Sequence, residues 1–171
     1  MQNLVATSGD PLLSSNLKGL DTTDPRQRAW IEVQSSAIEA NTGIIRGLIA
    51  ENCLLMAVVK ADGYGHGAET VAKAALKGGA QHLGVATLQE GLDLRQAGLN
   101  CPILLLGNLT QIEELEACLH WELMPTISNL REVLICERIA MSLDVKFKVH
   151  IKVDTGMARL GCELKEAVDL I

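Results

Sequence analysis

The sequence predicts an α/β fold, the N-terminal part of a (β/α)8 TIM-type barrel that is incomplete in this chain. Three observations carry that expectation. First, short apolar runs recur at intervals of roughly 20 to 30 residues with a helical pattern between each pair, and a βαβ series of that kind demands a parallel sheet. Second, the last run, Lys146–Asp154, alternates cleanly: Phe147, Val149, Ile151 and Val153 point one way, and Lys148, His150, Lys152 and Asp154 the other. A doubly wound sheet has little use for that polar face, whereas in a barrel it lines the interior while the apolar set packs on the helices. Third, a complete barrel takes about 250 residues and at least about 200. Here 171 residues hold five or six β/α units, so the chain is expected to be the N-terminal portion of a larger protein.

Residues 1–27 are rich in Ser, Thr, Asp, Asn and Gly without a sustained period and read as a flexible extension. The domain proper is then 28–171. Ala29–Val33 reads as a short strand. Ser36 with Glu39 makes a capping box for a helix carrying Ile38, Ile45, Leu48 and Ile49. Gly43 and Gly47 weaken that helix by about 1 kcal/mol each relative to Ala, so neighbouring packing must hold it. Leu54–Val59 and Ile103–Leu106 are apolar enough for strands covered on both sides. A helix from about Ala68 ends at Gly78-Gly79. His82–Ala86 is a strand, followed by a helix boxed by Thr87 and Glu90 and closed at Gly98. Thr110 and Glu113 box a helix to about His120, Glu122–Ile127 is a weaker strand interrupted by Pro125, and a helix spans about Asn129 to Met141. After the alternating strand, a last helix begins near Glu163.

The balance of charge is acidic, with a formal net charge of -6, which argues against a nucleic-acid partner. No run approaches the roughly 18 apolar residues of a membrane span. The start of the chain lacks the layout of a secretory signal, so the cytoplasm is the default compartment. Five cysteines include no C-x-x-C pair and sit in or beside apolar stretches, which suits reduced, buried thiols. His66, His82, His120 and His150 have no metal-ligand spacing, and no metal site is expected.

The string AVVKADGYGHG, Ala57 to Gly67, is the first place where chemistry can live. An apolar strand ends in Lys60, and a lysine there is poorly solvated, which favours the neutral amine. Such an amine can attack a carbonyl and hold it as a Schiff base. Gly63, Gly65 and Gly67 let backbone approach a ligand closely, as a phosphate at the following helix N-terminus requires. Position alone also allows a plain snorkelling lysine at a strand end.

The second place is VHIKVDTGMARLGC, Val149 to Cys162. Asp154-Thr155-Gly156 turns the chain at the end of a strand where barrel sites sit, flanked by Lys152 and Arg159. The simpler alternative is an Asx-type turn with a solvated arginine.

Both strings resemble the alanine racemase family: lysine, tyrosine and Gly-His-Gly in the first, lysine, Asp-Thr-Gly-Met and arginine in the second, at the family's spacing and about 90 residues apart. The resemblance runs from roughly Arg28 to the C-terminus. It implies pyridoxal 5'-phosphate as cofactor, held covalently by Lys60, which also serves as the base on the D-alanine side. Tyr64 would contact the cofactor phosphate. Arg159 would bond the cofactor's phenolic oxygen and help hold the substrate carboxylate. Lys152 matches a position that many members carry as a carbamate. The family's activity is the interconversion of L-alanine and D-alanine, which supplies D-alanine for peptidoglycan, in a homodimer. Its second base is a tyrosine from a C-terminal β domain across the dimer interface. That domain is absent from this sequence, whose one tyrosine is Tyr64, so residues 1–171 alone are expected to be inactive. A broad-specificity amino-acid racemase, a related decarboxylase and a non-catalytic pyridoxal-phosphate carrier remain as alternatives on the same barrel.

Overall fold

The computed structural model describes residues 31–171. The N-terminal extension, and Ala29 and Trp30 of the expected first strand, lie outside the described residues; Ile31–Val33 carry no strand. The fold itself is the unit Gln34–Ile171. It runs α1 (Ser35–Leu48), β1 (Met56–Val58), a six-residue helical turn (Lys60–Gly65), α2 (Ala68–Lys77), β2 (His82–Val85), α3 (Leu88–Gln96), β3 (Ile103–Asn108), α4 (Ile112–His120), β4 (Leu123–Ile127), α5 (Leu130–Leu143), β5 (His150–Ile151) and α6 (Leu164–Ala167), which continues into a 3-10 turn at Val168–Leu170.

The five strands form one sheet in the order β1-β2-β3-β4-β5, and every pairing is parallel. A doubly wound sheet reverses its strand order at a switch point. This sheet never does. Each crossover lays its helix on the same face, where Val59, Leu83, Val85, Ile103, Leu105, Leu123 and Ile127 pack with Ala72, Leu94, Leu115, Cys118, Cys136 and Ile139 from the helices. The opposite face is the incipient barrel interior. It carries Met56, Val58, Gly84 and Leu106 close together, since a Cβ on Gly84 would meet all three neighbours at 3.2–3.5 Å.

Several local expectations need correction. The strand expected over Leu54–Val59 is only Met56–Val58, and it is not covered on both sides: Leu54 is 66% exposed and Val58 38%. The clean strand expected over Lys146–Asp154 hydrogen-bonds as sheet only at His150–Ile151, although the alternation survives, with Phe147 and Val149 packed on the core and Lys148 and His150 exposed. Pro125 does not interrupt β4; the register against β3 shifts between Leu104 and Asn108, so the bulge falls where proline has no N–H to offer. The Ser36–Glu39 box does not form, because α1 begins earlier, with Gln34 as N-cap. The third box forms one residue later than expected, from Gln111 and Glu114. Helix α1 buries no residue of its own among those described. It crosses α2 so tightly that a Cβ on Gly78 would lie 2.4 Å from the Glu39 carbonyl oxygen. The cysteines are free, but Cys53 is exposed and Cys101 half-buried, so only Cys118, Cys136 and Cys162 are buried as expected. No helix among the described residues is long and apolar enough to cross a membrane.

Candidate active site

Strand β1 delivers Val59, fully buried, whose N–H donates to the Gly84 carbonyl at 2.8 Å. The next residue, Lys60, is half-buried and opens a turn of left-handed sense. Ala61, Asp62, Gly63 and Tyr64 all have φ between 52° and 60° and ψ between 36° and 51°. Three of the four are not glycine, and the left-handed helix costs roughly 1–2 kcal/mol for each such residue. At Gly63 the left-handed backbone is coupled to a tight fit, since a Cβ would sit 2.9 Å from Val71 Cγ2. Backbone strain of this order persists where the surroundings hold it. Gly63 N–H donates to the Val59 carbonyl (2.9 Å) and Gly67 N–H to the Asp62 carbonyl (2.9 Å). His66 Nδ1 lies 3.2 Å from the carbonyl oxygens of both Gly63 and Tyr64. From outside the turn, Glu90 Oε1 accepts from Ala61 N–H at 2.7 Å.

The handedness puts the two candidate side chains on one side. Lys60 Nζ lies 5.9 Å from the centroid of the Tyr64 ring, which is 59% exposed. Beside them Gly65 has φ 83° and open space where a side chain would stand. The phosphate expected at the N-terminus of α2 meets an obstacle, because Asp62 Oδ1 already accepts the Ala68 N–H there at 2.8 Å. An acid caps that helix end and disfavours a second anion.

The second string lies at the other edge of the sheet. Lys152, half-buried, reaches across the interior face and donates from Nζ to the Leu106 carbonyl of β3 at 3.1 Å. Asp154 Oδ1 accepts from the N–H groups of Gly156 (2.9 Å) and Ala158 (3.1 Å). These two bonds, that of Gly156 foremost, hold its carboxyl below the ordinary 3.8. The loop is therefore an Asx-closed turn, and it leaves Arg159 exposed. It closes on itself where Cys162 pairs in parallel beside Val153, an approach so tight that a Cβ on Gly161 would be 2.7 Å from Asp154 N. Lys60 and Tyr64 are thus brought together. Arg159 lies on the loop that follows the opposite edge strand, β5, and is not adjacent to them.

Between the two edges stands a polar cluster that sequence reasoning passed over. Ser128 Oγ donates to Asn108 Oδ1 (3.2 Å), Ser128 N–H to Glu132 Oε2 (2.6 Å) and Asn108 Nδ2 to Glu132 Oε1 (3.5 Å). Glu132 is 5% exposed. The available signal was positional: Asn108 and Ser128 end or follow strands, and Glu132 stands three residues after Asn129, whose side chain caps α5. Among the described residues, no group of three or more His, Cys, Asp or Glu could hold a metal.

These groups fit pyridoxal phosphate, the cofactor implied by the sequence resemblance. A primary amine beside open space can reach an aldehyde carbon, and a phenol and a guanidinium are donors for anionic oxygens.

Comparison with known proteins bears on both strings at once. The family described as "Alanine racemase, N-terminal domain" matches residues 33–171. The alanine racemase of Prochlorococcus marinus is 67% identical over 152 residues, covering 89% of this chain and 39% of that protein. That of Synechocystis sp. is 45% identical over 146 residues, covering 85% and 39%. The chain thus spans about two fifths of the length of the curated relatives it matches. Among solved structures, alanine racemase from E. faecalis superposes with a TM-score of 0.72 at 37% identity, over 81% of this chain and 38% of that one. Alanine racemase from Bacillus anthracis with bound L-Ala-P gives 0.74 at 33% identity, over 82% and 36%.

Proposed function

The chain belongs to the alanine racemase family, as a match to its N-terminal domain, and on that premise we propose that the full-length protein interconverts L-alanine and D-alanine with pyridoxal 5'-phosphate. In this reading it works as a homodimer in the cytoplasm and supplies D-alanine for peptidoglycan. The observation that carries the proposal is the left-handed turn that sets Lys60 Nζ and the Tyr64 ring 5.9 Å apart beside open space.

When bound, the cofactor acts as an electron sink that acidifies the substrate Cα–H. Lys60 holds the cofactor through Nζ and, when its amine is free, moves the proton at Cα on the D-alanine side. Tyr64 donates its phenolic O–H to a phosphate oxygen. Arg159 uses its planar fork on the cofactor's phenolic oxygen and on the substrate carboxylate, which a lysine could not do. A carbamate on Lys152 would turn a donor into an acceptor and orient Arg159; the free amine instead serves the Leu106 carbonyl. Removal and return of the proton on opposite faces needs a second group. By the resemblance to the alanine racemase family, that group is a tyrosine of the partner subunit's C-terminal domain, while Tyr64 is given to the phosphate.

Borohydride reduction of the cofactor-loaded protein followed by peptide mapping is expected to place the pyridoxyl label on Lys60. Lys60→Ala should abolish turnover, because neither the attachment point nor the proton acceptor remains. A label on Lys152 in place of Lys60 would overturn the assignment.

A further inference from the structure

We propose that Glu90 is a positioning residue for Lys60: its carboxylate clamps the strained turn that carries the lysine to the end of the neighbouring strand. The proposal rests on the reading of Lys60 given above. Glu90 is the third residue of α3 and forms a capping box with Thr87, whose hydroxyl accepts the Glu90 N–H. Such a box asks one thing of the glutamate, a bond back to the N-cap N–H, and Oε2 meets it at 3.2 Å while also accepting Ala86 N–H at 2.7 Å. That leaves Oε1 for a different task. It takes the Ala61 N–H, 29 residues away in the chain, at 2.7 Å.

Ala61 immediately follows Lys60 and is the first of the four left-handed residues. Its N–H, at the start of a helical turn, has no acceptor within the turn. A bond to an ionised carboxylate is shorter and stronger than one between neutral groups, and this one is made at the first of the left-handed residues. The same oxygen pair is anchored through Ala86 to the end of β2, so the frame is rigid. The other boxes show what this adds. Glu114 bonds only Thr110 and Gln111 of its own loop, and Glu166 only Glu163. Without Glu90, Ala61 would be free to return toward the right-handed region. Lys60 and Tyr64 would then lose their shared orientation while the sheet stayed intact.

The test uses the full-length protein, pyridoxal phosphate as probe and three variants: Glu90→Ala, Glu90→Gln and Thr87→Val. Thr87→Val removes the hydroxyl cap but keeps the backbone N–H that Glu90 binds. The readouts are the rate of borohydride-trapped label on Lys60, the pH profile of that labelling, and the thermal midpoint. Glu90→Ala should slow labelling about tenfold or more, the effect of losing one charge-assisted hydrogen bond, and displace the pH profile. Glu90→Gln, which keeps a carbonyl oxygen, should recover part of the rate. Thr87→Val should lower the midpoint yet label at the parent's rate. If Glu90→Ala and Glu90→Gln label as the parent does with an unchanged profile, the clamp is wrong and the reading of Lys60 stands. Equal slowing by Thr87→Val would reduce Glu90 to a helix cap and also overturn it. A parent that takes no label on Lys60 removes the underlying reading, and this proposal with it.

Discussion

At the residue scale, the second string shows how a single side chain can be prepared by its neighbours. Arg159 does not sit on a strand but on a loop whose shape is set by Asp154, through bonds to Gly156 and Ala158. Those bonds, that of Gly156 foremost, hold the carboxyl below its ordinary range and so favour the charged acceptor that closes the loop. Exposed in this frame, the guanidinium is available for planar anionic groups. Arg159→Lys is therefore expected to keep stability and lose turnover in the full-length protein, by on the order of tenfold or more, because the charge stays while the fork goes. Steady-state kinetics of the variant within about twofold of the parent would withdraw the role.

At the element scale, the βα loops share one device. An acid three residues after the N-cap bonds back to its own loop in α3, α4, α5 and α6, through Glu90, Glu114, Glu132 and Glu166. Two of the four reach further: Glu90 to the turn after β1, and Glu132 to Asn108 at the end of β3. Adjacent loops on the site face are stapled by carboxylates, while the layer beneath is held by apolar packing. The thiols of α4 and α5 belong to that lower layer. Burial pushes Cys118 up to about 12 and Cys136 up to about 11, from an ordinary 9.0. Both protons are held more tightly folded than unfolded. Their contribution to stability is complete below 9.0 and is lost as pH rises through about 11 to 12. Urea midpoints of the full-length protein should therefore fall between pH 8 and about pH 10. The double variant Cys118→Ala/Cys136→Ala should start lower and show a smaller fall. An undiminished alkaline fall in that variant would place the titrating groups elsewhere.

At the scale of the whole molecule, β1 and β5 are the edge strands of the sheet among the described residues, and there their outer N–H and C=O groups have no strand partner. The interior face leaves Val58 and Leu54 exposed beside them. Open edges next to apolar side chains invite association. The polypeptide of residues 1–171, made by itself, is expected to associate or aggregate. It should also show no alanine racemisation above free cofactor, since Tyr64 is assigned to phosphate and no other phenol is present. Sedimentation and a racemisation assay with added pyridoxal phosphate check both halves. A monodisperse, cooperatively melting monomer would defeat the edge argument, and turnover would show that the second proton-moving group lies within these residues.

The alternation of strand and helix, the parallel sheet and the two strings at strand ends were all legible in the sequence. They depend on local periodicity and on residue types whose chemistry is the same in any surroundings. Lys60 follows an apolar run wherever that run is packed, and Asp154 closes its own turn with N–H groups two and four residues on. Long-range facts were not legible. That Ala61, Asp62 and Tyr64 take up a left-handed conformation contradicts their own preferences, and it is held by the Val59 carbonyl just after β1 and the Glu90 carboxylate on α3. The same separation explains Lys152, whose amine meets the Leu106 carbonyl 46 residues earlier, and Asp62, which turned an expected anion site into a capped helix end. Periodicity says which face a residue is on. Which partner waits there is decided only when the strands are laid side by side, because a hydrogen bond depends on ångströms and not on spacing along the chain.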